Sequence, residues 1–179
     1  MRLFLYLYLP IHDGHIQMIK SYTSSDFNLL AAWVTDADLL LQFSGTDFSY
    51  PLTEQQIAAY CTLHPDRRFY IGYTVDGLPF AFGEIIPQES GCPRLARILV
   101  GEPVYRGQGL GRYFIRLLLE ECKRLYNTDT VELFTWEKNH AAIRCYESVG
   151  FKFLPERCKE MVHEDVSYNI HKMIYTGRL

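Results

Sequence analysis

A single α/β domain is what the sequence predicts, and three observations predict it. First, 179 residues with 48% hydrophobic and 22% charged side chains suffice for one core and a solvated surface. Second, residues 68–100 read as an antiparallel meander folded about the turn dipeptide Asp76-Gly77. Third, from Pro103 the apolar period lengthens to that of a helix, and helix and strand patterns then alternate. This composition excludes a disordered, collagen-like or disulfide-scaffold protein. Eighteen Lys and Arg against 21 Asp and Glu give a net charge of -3. That disfavours a nucleic-acid partner held by bulk positive charge.

In chain order, Arg2 followed by Leu3 to Leu9 faintly resembles a signal peptide. The run is short and Tyr-rich, is broken by Pro10, and has no small-residue cleavage site before His12. Residues 1–17 are therefore expected to be an extra strand or an overlong start, with one domain over 18–179. Met18 opens a first strand and helix entry. Ser25 or Asp26 can cap a helix through Leu29, Leu30 and Trp33, and Thr35-Asp36 can cap another carrying Leu39, Leu40 and Phe43. Thr53 to Gln56 has the form of a capping box ahead of Ile57 and Tyr60. These short helices belong where a lid or substrate wall would sit.

Arg68 to Val75 makes a strand, Asp76-Gly77 a type I′ turn, Leu78 to Ile86 the returning partner, and Arg94 to Val100 a third strand. Arg112 to Leu125 follows as a helix with Phe114, Leu118, Cys122 and Leu125 at helical spacing, Ile115 and Leu119 beside them. A strand over 130–136 and a helix over 139–149 come next, with Gly150 at the left-handed position that ends a helix. Phe151 to Leu154 starts a strand, and Tyr168 to Thr176 is its antiparallel companion. No run approaches the roughly 18 apolar residues that span a bilayer, so no membrane contact is expected. Five cysteines (Cys61, Cys92, Cys122, Cys145, Cys158) at no repeating spacing imply free thiols in a reducing compartment, hence a cytoplasmic protein. Cys61 with His64, and His12 with His15, have ligand separations but no partner pair, so no metal is expected.

Arg106-Gly-Gln-Gly-Leu-Gly111 lies between a strand and an amphipathic helix. The first amides of a helix lack internal acceptors and sit at the positive end of its dipole, so a turn cleared of side chains lets phosphate reach them. Gly107, Gly109 and Gly111 clear that space, and Arg106 and Arg112 can add charge-assisted contacts. A dinucleotide fingerprint fails because Arg stands at 112, and a P-loop fails for want of Gly-Lys-Ser/Thr. A bare strand-to-helix corner is the competing reading of the glycines.

The hexapeptide resembles the R/Q-x-x-G-x-G/A motif of the GNAT superfamily of acyl-CoA-dependent N-acetyltransferases. Asn139-His-Ala-Ala-Ile-Arg-Cys-Tyr146-Glu-Ser-Val-Gly-Phe151 is similar to that family's N-x-x-A-x-x-x-Y-x-x-x-G-F segment. The resemblance implies a mixed, mostly antiparallel twisted sheet with a central splay, flanked by helices on both faces. It implies acetyl-CoA as acyl donor, with no metal, and direct transfer of the acetyl group to a primary amine. The backbone of Leu99, Val100 and Gly101 would pair with the pantetheine arm. The amides from Gly107 through Gln108, Gly109, Leu110 and Gly111, with Arg106 and Arg112, would hold the pyrophosphate. Asn139 would touch the cofactor arm, and it is equally a plain N-cap. Tyr146 would protonate the leaving CoA thiolate, a role its phenol suits chemically; the alternative is a packed aromatic.

Glu84, among Phe80, Phe82, Ile85 and Ile86, is the candidate base for the acceptor amine, since partial burial would raise its pKa. The alternative is an edge-strand glutamate facing water. His140 and Glu137 are weaker candidates, and Asp36 and Asp47 could bind an ammonium group. A thiol acyl-enzyme on Cys145 lacks an activating His. The acceptor is a small-molecule amine or a protein N-terminus. Trp33, Phe43, Phe48 and Tyr50 would suit a cationic one. A non-catalytic acyl-CoA-binding module is the rival function, and pairing of the aromatic N-terminal strand with a second copy would give a homodimer.

Overall fold

The computed structural model describes residues 7–10 and 16–177. In chain order it runs β1 (Leu7–Pro10), β2 (Ile16–Ser21), α1 (Phe27–Trp33), α2 (Ala37–Ser44), α3 (Glu54–Leu63), β3 (Arg68–Tyr73), β4 (Pro79–Ile86), β5 (Arg94–Val100), α4 (Leu110–Tyr126), β6 (Val131–Trp136), α5 (His140–Val149), β7 (Lys152–His163) and β8 (Val166–Tyr175). Among the described residues the strands form one sheet in the order β1-β2-β3-β4-β5-β6-β8-β7. Neighbours are antiparallel except β5 and β6.

That parallel pair positions everything that follows. It is registered only at Arg94↔Glu132 and Leu95↔Leu133. Beyond Leu95, β5 stays with β4 while β6 stays with β8, so the two strands part and leave a wedge open toward their C-terminal ends. The sheet is covered on both faces. On one, Phe114, Ile115, Leu118 and Cys122 of α4 pack with Phe80, Ile85, Leu95, Leu133 and Met173. On the other, Leu30, Trp33, Leu40, Ile57 and Tyr60 of α1 to α3 pack with Phe69, Ile71, Phe82 and Leu99. Central β4 is consequently buried along nearly its whole length, as strands covered on both faces are.

The alternation of β5 breaks once. Phe82 faces Leu99 while Glu84 faces Ala96, so β5 carries an extra residue between them, and Arg97 there has φ +50. This is a β-bulge, which re-aims side chains. Arg94 and Arg97 would point to opposite faces of a regular strand; the bulge turns both toward α1–α3.

Several local expectations are corrected. The β3–β4 hairpin is not closed by a type I′ turn: Gly77 has φ +76 but Asp76 is not left-handed, and Gly77 N donates to Thr74 O at 2.9 Å. It is a type I turn followed by a left-handed glycine, the three-residue hairpin loop. Two consecutive left-handed residues occur instead at Glu164 and Asp165, between β7 and β8. The capping box at Thr53 is half formed. Thr53 Oγ1 accepts from Gln56 N at 3.3 Å, but the Gln56 side chain bonds Ser49 and Pro51. Strand β7 runs nine residues past Leu154 as an outer strand exposed on both faces, so no apolar alternation marks it.

Residues 7–10 pair with β2, which begins at Ile16, so the expected boundary at residue 17 falls inside a strand. The signal-like run of residues 1–11 lies partly outside the described residues. Among those described, no helix is long and apolar enough to cross a membrane.

Candidate active site

The glycine turn enters α4 as the sequence suggests, though its three glycines do different things. Gly107 has φ +75, and Gly109, the N-cap residue, has φ +81; both are left-handed positions that favour glycine. A Cβ at Gly107 would meet nothing within 4 Å, and one at Gly109 only Arg112 Nη2 at 3.6 Å. Gly111 instead packs: its Cβ would touch Cys145 Sγ and Val100 Cγ2, each at 3.4 Å. Among the described residues, the amides of Gly107, Gln108, Gly109, Leu110 and Gly111 have no backbone acceptor. The next, Arg112 N, reaches Gly109 O at 3.1 Å. The Gln108 side chain turns back to Val104 O. Arg112 Nε is buried without a hydrogen-bond partner. Open donors plus an orphaned guanidinium nitrogen fit a diphosphate.

Arg106 does something else. Its Nε donates to Val100 O at 3.0 Å and its Nη2 to Gly101 O at 3.1 Å, so the guanidinium caps the end of β5 instead of reaching into the turn. The three residues expected to offer backbone to an acyl carrier also divide. Gly101 N donates to Phe80 O at 2.9 Å. By antiparallel alternation Gly101 and Leu99 therefore address β4, and only Val100 turns its main chain toward the wedge. Gly101 is glycine for a steric reason: a Cβ there would lie 1.9 Å from Trp33 Cδ2. Trp33 Nε1 in turn donates to Glu102 Oε1 at 2.9 Å, which ties α1 to the loop after β5.

Asn139 is the N-cap of α5, its Oδ1 accepting from Ala142 N at 3.2 Å. Two helical turns on, Tyr146 is 7% exposed and packs with Phe151 in the α4/α5 core. Burial, with Cys145 adding to it, pushes its phenol far above the ordinary value of 10. Burial also raises the Cys145 thiol, against the pull of Arg112. A thiol kept protonated is no nucleophile.

Glu84 points inward and is fully buried; it does not face water, and β4 is not an edge strand. Its Oε1 accepts from Tyr60 Oη at 2.8 Å and its Oε2 from Arg97 Nη1. Arg97 Nη2 bonds Asp47, and Arg67 Nη1 bonds Tyr60 Oη. The Arg97 guanidinium lies 4.4 Å from the Tyr60 ring centre and 5.2 Å from that of Phe48. Desolvation raises the Glu84 carboxyl above its ordinary value, with Arg97 and Tyr60 opposing it. Burial likewise pushes Tyr60 up to about 12. Both oxygens of Glu84 are thus engaged inside the protein, by Tyr60 and Arg97.

Sequence reading missed Arg97, Tyr60 and Arg67. An arginine inside an otherwise apolar strand was the available signal for the first. Asp36 is the N-cap of α2, with Oδ1 accepting from Leu39 N at 2.8 Å, whereas Asp47, half exposed, bonds Arg97. His140 and Glu137 are exposed. Trp33, Phe43 and Phe48 are buried core residues, so they offer no aromatic wall to a cationic ligand; only Tyr50 is exposed.

A model described as the Acetyltransferase (GNAT) family matches residues 31–151. The spermine/spermidine N(1)-acetyltransferase of Bacillus subtilis (strain 168) is 31% identical over 86 residues, 45% of this chain and 56% of its own length. The probable spermine N(1)-acetyltransferase of Bacillus subtilis subsp. natto is 37% identical over 49 residues, covering 27% of this chain and 32% of its own. The chain thus spans about half the length of the first curated relative and a third of the second. Among solved structures, spermidine N-acetyltransferase from Vibrio cholerae in complex with CoA and spermine superposes with a TM-score of 0.72 at 13% identity, over 88% of this chain and 94% of that one. Aminoglycoside acetyltransferase AAC(6')-Ib with coenzyme A gives 0.69 at 18%, over 89% and 94%. At such identities these two share the fold.

Proposed function

The chain belongs to the GNAT acetyltransferase family, and from that membership we propose that it transfers an acetyl group from acetyl-CoA to a small-molecule primary amine by direct attack. The observation that carries this reading is the donor set at the head of α4, five amides without backbone acceptors beside the orphaned Nε of Arg112. A plain strand-to-helix corner needs no buried, unpartnered guanidinium nitrogen. When bound, acetyl-CoA supplies an acetyl group already activated as a thioester.

The residues of the chain supply the rest. The amides of Gly107 to Gly111 and the Arg112 side chain bind the diphosphate, and the N–H of Val100 faces the wedge for the carrier arm. Arg106 supports that arm indirectly by holding the end of β5, and Asn139 starts the helix that positions Tyr146. Tyr146 keeps its proton across the physiological range and holds it for the departing thiolate. Glu84 anchors Arg97 in the acceptor wall, and the amine sheds its proton to water on the side where Asp47 is exposed. Free thiols support a cytoplasmic setting. The two Bacillus subtilis relatives are named for acetylation of spermine or spermidine, which supports a small amine over a protein N-terminus.

Titration calorimetry with acetyl-CoA and CoA, followed by thiol release over a panel of amines, tests the reading. Saturable binding of both and turnover with at least one amine are expected. Absence of binding overturns it, and binding without thiol release to any amine makes the chain a non-catalytic acyl-CoA module.

A further inference from the structure

On the α1–α3 face of the sheet, next to the wedge, three cations surround one aromatic ring. Arg94 Cζ and Lys159 Nζ each lie 4.6 Å from the centre of the Phe134 ring, and Lys172 Nζ lies 5.7 Å from it. Among the described residues Glu132 is the carboxylate that pairs with them, bonding both Arg94 and Lys172. Lys159 has no carboxylate partner among the described residues. Arg94 and Lys172 are half-buried, with side chains 26% and 20% exposed, so water screens their charges less than it would at full exposure. Three cations against one carboxylate leave net positive charge beside the ring, and that excess is what attracts an anion.

Its location ties it to the acceptor. Phe134 is the first residue of β6 past the last parallel pairing with β5, so it stands at the vertex of the wedge. Leu133 faces the α4 core, and Phe134 therefore faces the side that holds Glu84, Arg97 and Asp47. The outer strand also folds over toward this side: Met161 Sδ is 3.7 Å from a Cβ built at Gly45. Lys159 lies two residues before Met161 and Asp47 two residues after Gly45, so a cation and an exposed carboxylate stand near that contact.

Resting on acyl transfer to an amine, we propose that the acceptor also carries an anionic group, a carboxylate or a phosphate, which seats among Arg94, Lys159 and Lys172 beside the Phe134 ring. Its amine end lies toward Asp47. A polycation such as spermidine meets three positive charges there, so this chain parts from its relatives in acceptor class. Aromatic residues of the early helices do not compensate, because they are spent in the core.

The test measures kcat/KM by thiol release with ω-amino acids of two to five methylenes and with the matching ω-amino amides, whose amines are of nearly equal basicity. Phosphoethanolamine with ethanolamine, and spermidine, complete the panel. An acid-to-amide ratio of about ten or more is expected for the favoured length, from one charge-assisted contact. The phosphoethanolamine arm tells a phosphate from a carboxylate as the anion. Lys159→Gln, at an exposed position, and Lys172→Gln should each bring the ratio toward one, chiefly through KM. Equal or better turnover of amides or of spermidine overturns the anionic class while leaving acyl transfer intact. Binding of acetyl-CoA with no thiol release to any amine overturns both.

Discussion

The indole of Trp33 occupies the space that a side chain at residue 101 would need, with Cδ2 only 1.9 Å from where a Cβ of Gly101 would lie. Gly101→Ala therefore forces Trp33, or the end of β5, to move. Overpacking of this kind costs about 1–3 kcal/mol. Thermal denaturation should show a lower Tm for Gly101→Ala, and a smaller drop for the same change in a Trp33→Leu background, where the ring is gone. Equal drops in both backgrounds would mean that backbone conformation, not the indole, requires the glycine.

At the head of α4 the prediction is about affinity. Gly109→Val puts a branched side chain on a left-handed residue in the middle of the free amides. Acetyl-CoA binding measured by calorimetry should weaken at least tenfold in a variant whose circular dichroism is unchanged. Arg112→Gln should weaken it by a similar amount, and Arg106→Gln by less, because Arg106 faces the strand end. An unchanged Kd in folded Gly109→Val removes the diphosphate cradle.

Glu84 and Arg97 form a buried pair, with side chains 0% and 4% exposed. Removing Arg97 strands the buried Glu84 carboxylate, at a cost of about 3–5 kcal/mol, and removing Glu84 leaves Arg97 with the half-exposed Asp47 alone, whereas replacing both with apolar groups often costs less. Urea unfolding should therefore rank Glu84→Gln or Arg97→Met below the double Glu84→Met, Arg97→Met variant. Additive losses in the double variant would show that the two side chains act separately.

Glu132 makes a pH prediction. Burial pushes its carboxyl up, but the bonds from Lys172 and Arg94 outweigh burial and leave it below the ordinary 4.5. Between the folded pKa and 4.5 the unfolded chain holds more of the proton, so stability falls as pH drops through that interval. The Tm of the wild type should decline more steeply with acidification below pH 4.5 than that of Glu132→Gln. Parallel curves would remove the ion pairs from the stability of this face.

The sequence made β3 to β5, α4 and α5 legible because each carries a clean period: Phe114, Leu118 and Cys122 recur on one helical face and all are buried. It also marked the turn from Arg106 to Gly111. What stayed hidden depends on contacts distant in the chain. Nothing local announces that Arg97 sits in a bulge, or that its side chain crosses to Glu84 and Asp47. Arg106 could be read only as a phosphate ligand, because the two carbonyls it caps become available only when β5 ends where it does. Trp33 reads as a helix residue of ordinary amphipathic spacing; its seat on Gly101 is a fact of tertiary packing.

Tyr146 separates catalysis from packing. Its phenol lies in the apolar core between α4 and α5, where ionisation is suppressed, so it stays protonated across the physiological range. Tyr146→Phe keeps the ring and its contact with Phe151 and removes only the hydroxyl. A proton donor to the leaving group is felt in the transition state and not in the bound complex, so kcat should fall by about 10²-fold or more while the acetyl-CoA Kd moves less than twofold. The loss should be smaller for acyl donors whose thiol is more acidic, because their leaving groups depart without protonation. With the phenol held far above 10, the wild-type rate should also show no alkaline limb from Tyr146 up to pH 10. A Tyr146→Phe variant with unchanged kcat for every donor would reduce this residue to a core aromatic.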